Sequence, residues 1–223
     1  MHLLVALLVI VMVNLGFWQL RRLDERRASN AEVRARTTEP AVPIDSVAAP
    51  DTSGDSLGAL RYRSVTARGT YDAPASTVVL NRTQDGGPGG WVVTPLQVGS
   101  DTVLVLRGFA RLGADGSVPV PPPPSGSVEV DGYALAISGF DNLAEHDLAA
   151  LRSASPATLP VVLQAKASTP ADDQTLTPIP LPSLDDGPHL SYAIQWFLFS
   201  TIAVVGYPFA LRRAAGQREK TAP

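Results

Sequence analysis

Two apolar runs, one near each end of the chain, constrain this protein more than any other feature. From Leu3 to Val13 every residue is apolar, and the run continues to Leu20 with Asn14, Gly16 and Gln19 as interruptions. A second run extends from Tyr192 to Leu211. Eighteen helical residues cover about 27 Å, enough to cross the hydrocarbon core of a bilayer. Between the runs the chain is polar, rich in proline and glycine, and patterned like short strands. The sequence therefore predicts a membrane-anchored α+β protein. Transmembrane helices over residues 1–20 and 191–211 flank one mostly antiparallel, barrel- or sandwich-like β-sheet domain.

Composition narrows the chemistry. The chain has 223 residues, room for one domain of modest size besides the two anchors. A net charge of −3 with no basic face in the middle gives no reason to expect nucleic acid. There is no cysteine, which excludes disulfides, thiolate metal sites and cysteine-based catalysis. The three histidines, His2, His146 and His189, are too far apart for a local metal motif. Only Lys166 and Lys220 of the 18 basic residues are lysine. With the alanine, glycine, proline and valine bias, this points to a GC-rich bacterial genome. No Arg- and Ser-rich transit segment precedes the first run, and it lacks a small-residue cleavage site, so we expect a retained anchor.

Along the chain, the first run passes without a breaker into a charged helical extension over residues 21–36. Residues 37–59 carry Pro40, Pro43 and Pro50 and predict a linker or irregular wrap. A β-rich domain is expected over residues 60–166. Its predicted strands are Tyr62–Tyr71, Thr77–Arg82, Trp91–Val98, Thr102–Arg111, Val128–Ile137 and Thr158–Ala165. The glycine cluster Asp85–Gly90 predicts a turn, and Val103–Leu106, apolar on both faces, a central buried strand. Asp131-Gly132 predicts a bulge, and Asn142 with Glu145 a capped short helix to about Leu151. Residues 167–190 form a second Pro-rich linker, in which Asp172-Asp173 and Asp185-Asp186 suggest solvated turns. Residues 212–223 form a tail whose Arg212, Arg213, Arg218 and Lys220 predict a cytoplasmic location. Both termini then lie in the cytoplasm of a bacterial cell, with the middle domain outside the plasma membrane.

Candidate functional residues gather where the spans leave the lipid. Trp18, Gln19, Arg21 and Arg22 close the first run, and His189, Tyr192 and Trp196 share one face at the start of the second. Imidazole, aromatic planes and guanidinium groups together suit the edge of a haem. The same residues equally describe an aromatic belt with a capping histidine. Arg82 and Arg107 each end an apolar stretch, where they present a cation to a partner or pair with acids at the sheet rim. No nucleophile elbow, phosphate loop, metalloprotease helix or dinucleotide fingerprint is present, and nothing argues for an enzyme. A two-anchor β domain also suits an extracytoplasmic adaptor or sensor unrelated to haem.

Taken in order, the motifs resemble the surfeit locus 1 family, membrane assembly factors of haem-copper cytochrome c oxidase. Leu15-Gly16-Phe17-Trp18-Gln19-Leu20 with Arg22 is similar to that family's first signature. Tyr62-Arg63 with Val65, Gly69 and Tyr71, then Asn81-Arg82, Pro88-Gly89 and Val93-Thr94-Pro95-Leu96, are similar to its central blocks. Arg107-Gly108-Phe109 resembles another, with Leu106 where asparagine is usual. His189-Leu190 with Tyr192-Ala193-Ile194-Gln195-Trp196-Phe197 resembles its closing signature. The resemblance implies a non-enzymatic chaperone of the respiratory chain, assisting haem a insertion or holding an assembly intermediate. It implies oxidase subunits, chiefly the haem-bearing one, and the lipid membrane as partners. Transient contact with haem a through His189, Tyr192, Trp196, Trp18 and Arg21 is implied, and Gln19, Arg22, Arg82 and Arg107 would face the partner.

Overall fold

In a computed structural model, which describes residues 2–136 and 158–220, the chain divides into two compact units. One comprises Met1–Glu32 with Ser183–Pro223, the other Val33–Pro182. The predicted capped helix from Asn142, with Glu145, lies outside the described residues, as does Ile137.

In the first unit the apolar runs become helices. Helix α1 extends over His2–Thr38, so span and charged extension form one element, which stops at Glu39 because Pro40 disfavours helical geometry in the residue before it. Both helices are long and apolar enough to cross a membrane, and their large side chains lie open. The C-terminal helix, His189–Lys220, starts two residues earlier than predicted and carries the basic residues of the tail within it. The Phe197 ring packs against Gly16 and meets Phe17 edge-on, with ring centroids 5.3 Å apart. At the far ends, His2 Nδ1 and the Tyr207 hydroxyl are 2.7 Å apart.

The second unit is built on one mixed seven-stranded sheet. Its strands are β1 (Val42–Pro43), β2 (Arg63–Tyr71), β3 (Thr77–Gln84), β4 (Gly87–Val98), β5 (Asp101–Arg111), β6 (Val128–Ala136) and β7 (Thr158–Thr169). The order is β1-β2-β6-β7-β5-β4-β3, and the end of β2 also pairs with β4 through Thr70↔Gln97 and Tyr71↔Leu96. The neighbours β2, β6, β7, β5 and β4 therefore form a ring of pairings. Each antiparallel pairing reverses strand direction, so a ring of five strands must contain an odd number of parallel pairings. That pairing is β5 with β7, and β1 also joins β2 in parallel. A purely antiparallel sheet is incompatible with this closure.

The core is apolar and buried on both faces of β5. Val103 and Val105 pack with Ile44, Val65, Leu96, Val130 and Leu163, while Leu104 and Leu106 pack with Val79, Val93 and Val162. The predicted central strand is thus confirmed. Other expectations change. Within residues 37–59 lie β1, a 3-10 turn over Ile44–Ser46 and the short helix α2 over Gly54–Ala59. Ile44 is fully buried there, so apolar side chains override the proline-rich local pattern. Only Asp85 and Gly86 form the predicted glycine turn, because Gly87–Gly90 belong to β4, with Gly87, Pro88 and Gly89 paired with β3. The register shift at Asp131-Gly132 is present in the pairing with β7, but the additional residue is Lys166 of β7. Strand β7 also continues past Ala165 to Thr169, because Glu129 and Val130 of β6 offer it partners.

The β2–β4 seam depends on Gly69, since a Cβ built there would stand 2.0 Å from the Gln97 carbonyl oxygen. Backbone cannot yield as a flexible side chain can. Gly69→Ala is expected to lower unfolding stability by about 3 kcal/mol in the detergent-solubilised chain. Gly58→Ala, at a helical position with open space around it, should be neutral or slightly stabilising. Equal thermal unfolding of the two variants would contradict this account of the seam.

Candidate functional site

The helical extension of α1 places Arg22, Arg26, Arg27 and Asn30 along the segment that leads into the C-terminal helix, named α3 here (His189–Lys220). Arg26 donates to the carbonyls of Asp185 and Ser183, at 3.2 Å each, and the Asn30 amide donates to the Asp185 carbonyl at 2.9 Å. Arg27 forms an ion pair with Asp186 at 2.8 Å. That hydrogen bond and charge raise the Arg27 pKa further above its ordinary value. The Ser183 hydroxyl, then the Gly187 N–H and the Arg26 charge, hold the Asp185 carboxyl below the usual carboxylate range. Asp185 and Asp186 keep exposed side chains, as the sequence suggested for a solvated turn, and are also bound into this grip.

This arrangement presents His189 at the first turn of α3. Its Nδ1 lies 2.9 Å from Gln19 Oε1, a side-chain bond that joins residues 170 positions apart. With the amide oxygen accepting, the neutral ring carries its proton on Nδ1 and keeps a lone pair on Nε2. Nε2 makes no hydrogen bond among the described residues. Beside it is an open pocket of about 460 Å³ lined by Arg22, Glu25, Arg26, Ser29, Asp185, Gly187, Pro188 and His189. Arg22 pairs with Glu25 at 2.7 Å on the pocket wall. Arg21 is exposed, and Trp18 and Tyr192 are about half exposed at 47% and 48%. Trp196 is half-buried and meets Phe199 edge-on. Of the residues singled out from the sequence, Gln19, Arg22 and His189 come together here. Glu25, Arg26 and Asp185 complete the pocket, and their sequence signal was only the mixed charge of the extension.

The arginines of the sheet unit have different surroundings. Arg107 is the additional residue where the β4–β5 register shifts between Val92 and Val93, a bulge in β5. Its side chain is wholly buried. Nε and Nη2 donate to the Asp172 carboxylate at 2.9 and 2.5 Å, and Nη1 and Nη2 donate to the carbonyls of Pro121 and Pro122 at 2.7 and 3.2 Å. The guanidinium also lies 5.8 Å from the Tyr71 ring centre. A partner would reach Arg107 only after Asp172 and the proline run had moved. Asp172, expected in a solvated turn, is its counter-ion and keeps only 18% of its side chain exposed. The next residue, Gly108, admits the returning chain: a Cβ there would approach the Leu176 Cβ at 2.9 Å and the Thr177 carbonyl oxygen at 3.0 Å. Phe109 then exchanges backbone hydrogen bonds with Thr177. Arg82 follows the left-handed Asn81 at a bulge in β3 and lies 4.7 Å over the Trp91 ring.

With this geometry in view, the model of the SURF1 family matches residues 6–201, from within α1 to within α3. The chain belongs to the SURF1 family. Among its relatives, a protein of Mycobacterium tuberculosis, named an uncharacterized SURF1-like protein, is 29% identical over 235 residues. That match covers 96% of this chain and 86% of the relative. A protein of Mycobacterium bovis with the same description matches equally. A SURF1-like protein of Rickettsia felis is 30% identical over 112 residues, 48% of this chain and 45% of that protein. Membership relates the chain to cytochrome c oxidase assembly.

The sheet site also gives a pH-dependent expectation. Burial, followed by the nearby Asp172 charge, raises the Tyr71 pKa well above the ordinary tyrosine value of 10.0, with Arg107 opposing. The hydroxyl has no hydrogen-bond partner among the described residues. Above pH 10 the unfolded chain ionises Tyr71 while the folded chain keeps it protonated, so stability present below that pH is lost as pH rises. Tyr71→Phe should leave stability at pH 7 unchanged or higher and make the decline above pH 10 shallower. Chemical denaturation at pH 7 and pH 10.5 checks this; a large loss at pH 7 would contradict it.

Proposed function

We propose that this protein is a non-catalytic, two-pass assembly factor that holds haem a for the catalytic subunit of cytochrome c oxidase. The reading is carried by the 2.9 Å bond between His189 Nδ1 and Gln19. That bond orients an imidazole beside an arginine-lined pocket and leaves the Nε2 lone pair open, which is what a ligand to iron would need. Haem a would be held by an imidazole on its iron and by guanidinium groups on its propionates. Arg22 and Arg26 stand on the pocket wall for that role, and the exposed Arg21 lies one residue before Arg22. Trp18, Tyr192 and Trp196 offer aromatic faces around the mouths of the two helices, and Gln19 is a positioning residue. Arg82 remains a candidate contact for oxidase subunits, through a guanidinium already ordered by Trp91.

Absorbance of the detergent-purified full chain, isolated from cells that make haem a, tests this. A Soret band should be present and should fall at least severalfold in His189→Ala, while Gln19→Ala should retain haem but shift the band. Association with oxidase subunits without any Soret band would replace the haem role by that of a protein scaffold. Normal oxidase content and haem a occupancy in cells lacking the gene would instead favour an adaptor or sensor unrelated to haem.

We further propose that both termini face the cytoplasm of a bacterial cell and that the sheet unit lies across the plasma membrane. The basic residues at the end of α3 support this orientation. Alkaline phosphatase fused within the Ser117–Ser127 segment should be active and green fluorescent protein at the C-terminus fluorescent. The opposite pattern would invert the topology.

A further inference from the structure

Asn14 is the one polar side chain of the first apolar run that neither helix packing nor the His189 site uses. It is exposed, and its Nδ2 donates to the Ile10 carbonyl at 2.8 Å. One N–H and the Oδ1 acceptor are left without a partner among the described residues. With 1.5 Å per residue, Asn14 sits about 9 Å inside Leu20, within the hydrocarbon region of a spanning helix. Lipid tails offer it neither donor nor acceptor, and an unpaired polar group there is costly.

The position of Asn14 on the helix identifies what is missing. Residues that face α3 repeat along α1 at Met12, Gly16, Gln19 and Leu23, through contacts such as Gly16 with Phe197 and Gln19 with His189. At about 100° per residue, Asn14 lies about 200° from both Met12 and Gly16, on the opposite side of the helix. There it ends a second row, Leu3, Leu7, Ile10 and Asn14, with alternating spacings of four and three. The apolar members of this row are 87%, 58% and 58% exposed. Phe17 continues the spacing, half-exposed, although its ring edge also reaches Phe197. This spacing is that of a helix seam, and one asparagine within such a seam sets register and partner number.

We propose that the Leu3-Leu7-Ile10-Asn14 face of α1 is the contact through which two copies of this chain associate in the membrane. Two copies necessarily share one orientation in the bilayer, so their α1 helices pair in parallel and both Asn14 residues stand at the same depth. A carboxamide with one free N–H and one free oxygen is its own complement. Across a two-fold axis each copy donates to the other, and both are satisfied. A foreign helix would need a donor and an acceptor at that same depth.

The absence of native cysteine makes the test direct. Single cysteines replace Leu7, Ile10 or Leu8 in the full-length chain, and native membranes are oxidised. Leu8 is 54% exposed but lies on another side of α1. Disulfide-linked dimers are expected from Leu7→Cys and Ile10→Cys and not from Leu8→Cys. Adding Asn14→Leu to Ile10→Cys should lower the dimer yield about tenfold, and Asn14→Gln, which keeps the carboxamide, should preserve it. Comparable yield from Leu8→Cys, or no response to Asn14→Leu, overturns the proposal. Linkage of Ile10→Cys to a different polypeptide also overturns it and assigns the face to that partner. If the Asn14→Leu chain fails to accumulate, the contrast between Ile10→Cys and Leu8→Cys decides alone. The haem spectrum plays no part in this readout, so the two proposals stand or fall separately.

Discussion

Closing five strands into a ring of pairings is the constraint on which the sheet unit depends. Buried backbone N–H and C=O groups must find partners, and an apolar strand such as β5 can find them only inside a sheet. With five members the ring cannot be wholly antiparallel, and β7 resolves the mismatch by entering between β5 and β6. That entry carries the chain after β7 back along β5. Asp172 thereby reaches Arg107 and Thr177 reaches Phe109. The Arg107-Gly108-Phe109 block thus has one structural explanation: a buried cation, a gap for incoming backbone, and a large apolar ring. Each element is intelligible only once β7 is in place.

The Arg107 cluster also shows how a buried charge is tolerated. Removing a guanidinium and a carboxylate from water costs several kcal/mol per ion, and attraction between them offsets this only when the remaining hydrogen bonds are made. Here the carboxylate takes two guanidinium donors and the Asp173 N–H, and the proline carbonyls take two more guanidinium donors. Prolines have no N–H of their own to satisfy, so a proline run beside the sheet supplies acceptors without adding buried donors. Tyr71 stands apart, with a buried hydroxyl that no described residue satisfies.

In the helical unit, chemistry follows from how α1 grips the segment before α3. Arg26, Arg27 and Asn30 hold Ser183–Asp186, and the first turn of α3 then brings His189 to Gln19. The charged extension that appeared to be a solvated stalk is therefore what positions the imidazole. Family membership relates the chain to oxidase assembly, and the oriented imidazole is the feature that a haem-holding role would use. The opposite side of α1 is left apolar with Asn14 set into it, which gives the same helix two distinct faces.

Much of this was legible from residues alone, for local reasons. Long apolar runs marked two helices of membrane-spanning length, and alternation with turn residues marked β2, β3, β5 and β6 to within a few residues. The Gln19–His189 meeting was legible as a possibility, because two spans entering one membrane must bring their interfacial residues to similar depth. What stayed hidden was long-range. Strand order, the parallel β5–β7 pairing, and the roles of Asp172, Asp185 and Asp186 depend on contacts between residues far apart in the chain. Glycines that permit close approach look like glycines that turn, which is why Gly87–Gly90 suggested a loop. The sequence by itself determined where apolar and polar stretches divide the chain, since transfer free energy is a property of each side chain. Only the tertiary structure decided which polar groups are consumed and which remain free, since that is set by the neighbour a fold supplies.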